Sequence, residues 1–466
     1  MHIEQLNITS LGEFSYFIED SGEAAIIDPF REVGDYIALA KKHSATIKFI
    51  FETHIHSDFV SGHFDLERLT GARIIYGPGA GAWFPFYSAS DNETFMIGNV
   101  SITAVHTPGH TLESTCYLLT DEHKKPVYLF TGDTLLIGNA GRPELISGID
   151  TPESLSSNLF DSIAKLSNLS GNPIIYPGHG QGSTYGKDMS MKKSSTLDEQ
   201  KKENPLFSIV SREEFIKTIL STLPQVPVYF PVIARINRDG YQSLDSVKAK
   251  ALTGLSLDDF QRKIAENIII LDTRKGADFK QGFIPGALFI GLEGRFAQWA
   301  GSLLPFHQRM ILLVEKGKEE ETVTRLAGVG FDNVEGYLTG GFDTWKKSGN
   351  AIDMIIDVDP DELAMDIPFD PQLLVIDVRT SAEFGESHVS GSMNMSLAEM
   401  TDLAMIAQLE ETQNIYVHCS IGYRSVIACS ILKKEGYHNI RNVNGTFEDI
   451  KGQPGIIIEK ETSVLN

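Results

Sequence analysis

Two histidines and an aspartate lie within five residues at the end of an apolar stretch. The segment THIHSDF spans residues 53–59, and it follows the run IKFIF at 47–51, a pattern typical of a buried strand. Polar groups at this density beside a buried strand are costly unless something pairs them. A metal ion is the simplest partner for two imidazoles and a carboxylate. The segment therefore predicts a metal site.

Further candidate ligands follow other apolar stretches. They are His110 in TPGHT at 107–111, Asp133 in GDTLL at 132–136 and His179 in YPGHG at 176–180. Each polar residue comes just after a predicted strand, and small neighbours allow the backbone to turn tightly there. One such residue alone would be weak support for a site. Taken together and in this order, they predict that the strand ends converge on one metal.

These motifs resemble the metallo-β-lactamase superfamily, and within it the persulfide dioxygenases that are joined to rhodanese domains. The resemblance also rests on GRPEL at 141–145 and on the continuation VSGH at 60–63. The family loop HxHxDH ends in histidine where this chain has Phe59. Relatives with two metals use that histidine for the second metal, so we expect one metal here. Asp58 and His179 would then surround the ligands or remain from the second metal position.

The resemblance implies that His54, His110 and Asp133 bind one Fe(II) per chain, with zinc as the alternative metal in purified protein. Two imidazoles and one carboxylate with open positions are the ligand set of non-haem Fe(II) oxygenases. His56 is either a further ligand or a hydrogen-bond partner of the ligands, and the sequence leaves both open. Arg142 is expected to hold a substrate carboxylate or a sulfur oxyanion, with a surface salt bridge as the alternative.

The second half of the chain contains an internal repeat. ILDTR at 270–274 recurs as VIDVR at 375–379, and GFDN at 330–333 recurs as GYHN at 436–439. The period is roughly a hundred residues, which is too long for a solenoid unit. It predicts two copies of a small α/β domain, in which parallel strands alternate with crossover helices.

The second copy contains the segment VHCSIGYRS at 417–425, between a predicted strand and a predicted helix. Successive backbone N–H groups of such a loop can converge on one anion, with the helix start behind them. The loop resembles the active loop of rhodaneses, which implies that Cys419 is the sulfur-carrying nucleophile and that Arg424 supplies a fixed positive charge. The remaining substrate-binding residues are expected to be Ser420, Gly422 and Tyr423.

The first copy departs from this pattern. Its apolar strand is followed by EKGKEEE at 315–321, and we expect Glu315 at the cysteine position and Glu320 near the arginine position. Like charges there would repel a sulfur anion, so this copy is predicted to be inactive. In the second copy, Asp377 and Arg379 are expected to brace the loop.

Composition limits the remaining possibilities. The 466 residues are 42% apolar and carry a formal charge of −22, so we expect no nucleic-acid partner. No apolar run reaches the ~18 residues of a membrane span, and three cysteines are too few for a disulfide framework. A cytoplasmic protein is the resulting prediction.

The predicted fold class is α/β. An αββα metallo-β-lactamase sandwich over 1–250 precedes two three-layer α/β rhodanese-like domains with parallel sheets. The copy without cysteine is expected over 251–355, and the copy with the active cysteine over 356–466.

The resemblance implies oxidation of a low-molecular-weight thiol persulfide by dioxygen to sulfite. It also implies transfer of sulfane sulfur among thiosulfate, sulfite and thiols at Cys419. One alternative is a zinc-dependent thioester hydrolase of the hydroxyacylglutathione type, and Phe59 counts against it because such enzymes usually place water between two metals. Another is a sulfur carrier or sensor without catalysis. The identity of the thiol and a homodimeric state stay open.

Overall fold

The structure is a computed structural model that describes residues 1–8, 11–143, 150–181, 190–221 and 226–461. The chain forms two compact units. The first contains Met1–Ser246 and Leu326–Gly330, and the second contains Val247–Arg325 and Phe331–Asn466. Among the helices of the described ranges, none is long and apolar enough to cross a bilayer. The predicted boundaries at 250 and 355 stay predictions.

The first unit is built on two six-stranded sheets. The first sheet contains, in order, β1 (His2–Ile8), β2 (Glu13–Asp20), β3 (Glu23–Ile27), β4 (Thr46–Phe51), β5 (Arg73–Tyr76) and β6 (Tyr87–Ser88). The second contains β7 (Thr94–Ile97), β8 (Val100–His106), β9 (Thr115–Thr120), β10 (Pro126–Gly132), β11 (Ile174–Pro177) and β12 (Ser195–Thr196). Buried side chains of both sheets, such as Tyr16 and Tyr117, form one core, so the sheets pack face to face.

Helices cover the outer faces of this sandwich. They are α1 (Gly34–Lys42), α2 (His63–Thr70), α3 (Pro152–Ser167), α4 (Leu197–Glu203), α5 (Arg212–Ser221) and α6 (Phe230–Asp239). The boundary between the two units falls within α7 (Leu244–Ala251). The α3 helix begins at a Thr151 cap, whose side chain accepts a hydrogen bond from the Ser154 amide. Its apolar face, with Leu159 and Ile163, packs with Phe215 of α5 against the second sheet. The predicted αββα sandwich is confirmed.

The second unit contains two parallel five-stranded sheets. The strands of the first copy are β13 (Gly254–Leu255), β14 (Ile269–Asp272), β15 (Leu288–Phe289), β16 (Met310–Leu313) and β17 (Val334–Leu338), in the order β13-β17-β16-β14-β15. The second copy uses β18 (Ile356–Val358), β19 (Leu373–Asp377), β21 (Met393–Asn394), β22 (Asn414–His418) and β23 (Ile440–Val443), in the order β18-β23-β22-β19-β21. A separate antiparallel pair joins β20 (His388–Val389) to β24 (Ile458–Glu459).

Helices alternate with these strands, as parallel crossovers require. The first copy has α8 (Leu257–Ala265), α9 (Gly276–Gln281), α10 (Phe296–Leu303), α11 (Glu319–Gly328) and α12 (Gly341–Lys347). The second has α13 (Pro360–Asp366), α14 (Ser381–Glu386), α15 (Leu403–Ile406), α16 (Tyr423–Lys434) and α17 (Phe447–Lys451). The predicted pair of parallel rhodanese-like folds is confirmed.

Strand pairing corrects the predicted alignment of the two copies. Asp272 pairs with Leu313 in the first copy, and Asp377 pairs with His418 in the second. The residue after Leu313 is Val314, which therefore stands at the position of Cys419. The prediction that Glu315 stands there was wrong by one residue. The alignment failed because a run of apolar and charged residues does not by itself set the register of a strand.

Candidate functional site

His54 lies three residues beyond the end of β4 and is held in place through its neighbour Thr53. The Thr53 amide donates to Asp28 Oδ1 at 2.7 Å, and the Thr53 hydroxyl donates to Asp28 Oδ2 at 2.8 Å. The same hydroxyl lies 3.0 Å from His54 Nδ1. Since that hydroxyl proton is given to a carboxylate, its oxygen can accept from Nδ1–H. That tautomer leaves His54 Nε2 with a lone pair for a metal.

His110 follows β8 on a loop that packs tightly against α3. Gly109 has φ +145°, and a side chain there would begin 2.5 Å from the Leu159 backbone. The ring of His110 is held by a 2.6 Å contact between Nδ1 and the carbonyl oxygen of Arg142. A carbonyl only accepts, so Nδ1 donates to it and Nε2 is again the ligand nitrogen.

Asp133 follows Gly132 at the end of β10. Its Oδ1 lies 2.6 Å from His179 Nδ1, and His179 Nε2 lies 2.8 Å from Asp58 Oδ2. Burial lowers the pKa of His179, but the two carboxylates outweigh it and raise that pKa to about 10. Burial likewise raises the pKa of Asp133, and the nearby histidines reverse this and hold it below its ordinary value. Asp133 is therefore an anion with Oδ1 occupied and Oδ2 directed elsewhere.

The three predicted ligands converge. One ligand atom each of His54, His110 and Asp133 lies within 4.8 Å of the other two, and all three residues are buried. Within the described part of the chain, His54 Nε2 and Asp133 Oδ2 are buried atoms without a hydrogen-bond partner. Burial, reinforced by the neighbouring histidines His56 and His110, lowers the pKa of His54, which keeps its imidazole neutral. Two imidazoles and a carboxylate aimed at one point fit a divalent metal ion.

His56 lies beside this set but has other partners. Its Nε2 is 3.1 Å from Asp28 Oδ1 and 3.3 Å from Glu52 Oε2, and its Nδ1 is 3.8 Å from Glu13 Oε1. Burial disfavours the charged ring, but Asp28 and Glu52 outweigh burial and raise the pKa of His56. The structure therefore groups His56 with Asp28 and Glu52 rather than with the three converging ligands.

Phe59 packs against His56 and completes the loop. The two ring centroids are 4.4 Å apart, and Phe59 is also edge-on to Phe30 at 6.0 Å. The side-chain amide of Asn237, in α6, donates to the carbonyl oxygens of His56 and Phe59 at 2.9 and 2.7 Å.

A second buried group of potential ligand atoms is formed by Glu13, Asp58 and His179. Burial and then Asp58 raise the pKa of Glu13.

Arg142 is a buried residue. It is 5% exposed, and its guanidinium lies 5.4 Å from the centroid of the Phe230 ring. Its backbone carbonyl orients His110, a role that the sequence did not indicate. The end of the GRPEL motif, residues 144 and 145, lies outside the described residues. Contact with substrate stays a prediction for Arg142.

The Cys419 loop joins β22 to α16. The Gly422 amide donates to Cys419 Sγ at 3.1 Å, and Gly422 adopts φ +86°, a conformation that favours glycine. Cys419 Sγ also lies 3.7 Å from the Ser425 hydroxyl. The loop therefore supplies a backbone donor to sulfur, as a bound sulfur anion needs.

The other two cysteines, Cys116 and Cys429, are buried. Burial raises the pKa of Cys116 to about 11 and raises the pKa of Cys429 further.

Arg424 pairs with an acidic side chain, Glu383, that the sequence motifs did not indicate. Its two terminal nitrogens each donate to Glu383 at 2.8 Å, and one also donates to the Ser420 hydroxyl at 2.7 Å. Ser420 in turn donates to Glu383 at 2.8 Å. Partial burial raises the pKa of Glu383, but Arg424 and the Thr380 amide outweigh this and lower it. Arg424 therefore holds the loop through Glu383 in this structure.

Asp377 and Arg379 lie where bracing residues were expected. Arg379 donates to both carboxylate oxygens of Asp377, and its guanidinium stacks 3.6 Å from the Phe447 ring centroid. The same arrangement recurs in the first copy with Asp272, Arg274 and Phe342.

The first copy keeps the loop shape without its chemistry. Gly317 has φ +84° where the second copy has Gly422. With the register set by strand pairing, Glu319 stands at the position of Arg424 and Asp278 at that of Glu383. A cavity of about 630 Å³ remains in front of the loop, lined by Val314 and Glu319 among others. Val314 has no thiol to carry sulfur, and the inactivity of this copy stays a prediction.

Comparison with known proteins agrees with this fold. The metallo-beta-lactamase superfamily profile matches residues 8–179, and the rhodanese-like domain profile matches 256–348 and 359–453. A crystal structure of a metallo-beta-lactamase from Staphylococcus aureus subsp. aureus COL is 30% identical, with a TM-score of 0.65. That match covers 72% of this chain and 98% of the other. The chain belongs to the metallo-β-lactamase superfamily, in a form that carries two rhodanese-like domains.

Two kinds of enzyme occur among the curated relatives. A probable hydroxyacylglutathione hydrolase of Schizosaccharomyces pombe is 36% identical over 165 residues, which are 34% of this chain and 60% of that protein. The mitochondrial persulfide dioxygenase ETHE1 of Bos taurus is 29% identical over 211 residues, 44% of this chain and 75% of that protein. The chain thus spans less than two thirds of the yeast relative, and the similarity is shared between a hydrolase and a dioxygenase.

Proposed function

We propose that the first unit oxidises a low-molecular-weight thiol persulfide to sulfite with dioxygen, in an iron-dependent reaction. The observation that carries this proposal is the convergence of His54, His110 and Asp133, with His56 directed to Asp28 and Glu52. Two imidazoles and one carboxylate leave other coordination positions open for substrates. Similarity to a persulfide dioxygenase supports the same reaction.

The residues of this chain would hold and orient the metal. His54, His110 and Asp133 would bind it, and each is fixed in turn by Thr53, the carbonyl of Arg142 or His179. Fe(II), when bound, would supply the oxygen chemistry. The three candidate ligands are at most 2% exposed, so the protein keeps bulk water from them. Persulfide, dioxygen and water would give thiol and sulfite, and Arg142 would hold the charged end of the substrate.

We also propose that the Cys419 loop transfers sulfane sulfur. The Cys419 thiolate would attack the outer sulfur of thiosulfate or of a persulfide, releasing sulfite or a thiol. A second acceptor would then take the sulfur from the Cys419 persulfide. The Gly422 amide would stabilise the sulfur anion through its donor bond, with Ser420, Tyr423 and Arg424 forming the rest of the site. One chain carrying both sites would raise the concentration of one product near the other site.

Oxygen consumption by iron-loaded protein, measured with several thiol persulfides, tests the first activity. The His110→Ala variant should lose persulfide-dependent oxygen uptake. The Cys419→Ser variant should keep most of it while losing sulfur transfer from thiosulfate. Unchanged oxygen uptake in His110→Ala would remove this site from the reaction.

A second candidate function is zinc-dependent thioester hydrolysis of the hydroxyacylglutathione type. Similarity to the S. pombe protein favours it, as does the buried group of Glu13, Asp58 and His179 beside the ligands. Two zinc ions per chain, thioester cleavage and no persulfide-dependent oxygen uptake would select it over the dioxygenase. A cytoplasmic location, a homodimer and the absence of a nucleic-acid partner stay predictions.

A further inference from the structure

The side chain of Tyr423 leaves the Cys419 loop and reaches the first copy. Its hydroxyl donates to the carbonyl oxygen of Gly291 at 2.8 Å. The ring lies against Gly291 and Gly294, where an added Cβ would be 3.5 and 3.8 Å from it. Tyr423 also lines a cavity of about 390 Å³ whose other lining residues belong to the first copy. A residue of the active loop is therefore anchored in the copy that has no nucleophile.

The opposite wall of the Cys419 loop is anchored in the same way. The Phe447 amide donates to the carbonyl of Ser420 at 3.1 Å, so the segment before α17 packs on the loop. Asn444, in that segment, accepts a hydrogen bond at 3.1 Å from Lys280 of the first copy. Lys280 also pairs with Asp357 Oδ2 at 2.5 Å. Both flanks of the loop thus bond to the first copy.

The helix behind the loop has a third contact. The backbone amide of Phe289, in β15, donates to the Ser430 hydroxyl of α16 at 3.0 Å. Both groups are buried, so the bond is shielded from water. The middle of α16 is therefore bonded to the sheet of the first copy.

We propose that the first copy acts as a positioning platform for the Cys419 loop, with Tyr423 and Lys280 as its positioning residues. The proposal rests on the proposed sulfur transfer at Cys419. The Gly422 amide aims at Cys419 Sγ, and Gly422 holds a left-handed conformation directly before Tyr423. Anchoring the next side chain restricts the backbone rotation that would turn this amide away. The first copy thereby has a role although Val314 stands at its cysteine position.

The Tyr423→Phe variant removes one hydroxyl and tests the first anchor. Its matched control is Tyr437→Phe, because Tyr437 also donates to backbone carbonyls, of Ile406 and Leu409, within the second copy. Sulfur transfer and the pH profile of Cys419 alkylation by iodoacetamide, located by peptide mass spectrometry, are measured on the full chain. Tyr423→Phe should lower kcat about fivefold, the effect of one net hydrogen bond, and shift the alkylation profile. The control should change neither.

Lys280 is tested with a graded pair of variants. Lys280→Met should lower kcat and shift the alkylation profile, and Lys280→Arg should restore both. Lys451→Met is the control, since Lys451 pairs with Glu448 at 3.3 Å within the second copy. Equal effects of Lys280→Met and Lys451→Met, or a Tyr423→Phe variant with unchanged kcat and profile, would overturn the platform. If wild-type protein transfers no sulfur, the proposed activity fails, and the alkylation profiles still decide on the platform.

Discussion

Replacing one carboxylate oxygen of Asp28 by an amide nitrogen should change the metal affinity of the candidate site. Its carboxylate accepts two hydrogen bonds from Thr53 and pairs with His56. The Thr53 hydroxyl donates to Asp28, so it accepts from His54 Nδ1–H. In Asp28→Asn, the new amide would donate to the Thr53 oxygen, and the hydroxyl proton could turn to His54 Nδ1. That favours the tautomer with a proton on Nε2, which cannot bind a metal.

The expected loss of metal affinity follows from this change in the tautomer of His54. Residues that orient a ligand histidine typically contribute 10- to 100-fold to metal affinity, or about 1.4–2.8 kcal/mol. We expect Asp28→Asn to weaken metal binding within that range. The backbone should tolerate the change, because Asp28 has φ +50° and asparagine adopts this region readily. Thr53→Val should act in the same direction, and Thr53→Ser should restore affinity.

Competition against a chromophoric chelator under anaerobic conditions measures this effect for Fe(II) and zinc. Asp65→Asn is the matched control, since Asp65 is equally buried but bonds to Leu244 and Arg68. It should leave affinity unchanged. Metal affinity of Asp28→Asn within a factor of about three of wild type would refute the tautomer argument, because a typical effect of this kind is larger.

Three further predictions concern the loops. Arg424 lowers the pKa of Glu383 from its ordinary value of 4.5. The ion pair should therefore stabilise the second unit above pH 4.5, and this stabilisation should be lost as the pH falls through the lowered pKa. The urea midpoints of Glu383→Gln and wild type should differ at pH 7 and converge in strong acid. Gly109→Ala should lower the free energy of unfolding by roughly 1–3 kcal/mol in thermal unfolding, because the new Cβ would clash with Leu159. Gly79→Ala should lower it less, because Gly79 also has a positive φ but a Cβ there would meet no atom within 4 Å. Phe59→His should raise bound zinc from one to two per chain in elemental analysis.

The sequence was sufficient for the fold and for much of the candidate centre. Strand ends carry the chemistry in this architecture, so polar residues after apolar stretches were enough to predict a metal site there. The choice of His54, His110 and Asp133 as its ligands came from the family resemblance. The repeat in the second half was visible because the Asp-x-Arg brace occurs in both copies. These features depend on local patterns of polarity, which a linear sequence preserves.

The partners of the histidines could not be predicted in the same way. Asp28 and Glu52 each follow a strand directly, as Asp133 does, yet they pair with His56 instead of joining the three converging ligands. The difference depends on which sheet faces hold the side chains and on the ring of Phe59 beside His56. Similarly, Glu383 became the partner of Arg424 only because α14 folds over the loop.

A comparison of the two rhodanese-like copies distinguishes residues that hold the loop in place from residues that react in it. The Asp-x-Arg pair stacks on Phe342 in one copy and on Phe447 in the other. Since this brace persists where the thiol is replaced by Val314, it cannot depend on catalysis and must serve the fold. Val314 and Cys419 follow Asp272 and Asp377 at the same separation, and strand pairing then identifies the substitution without ambiguity. Reactivity in such repeats is therefore assigned from the register of the strand before the loop, not from the repeat's overall similarity.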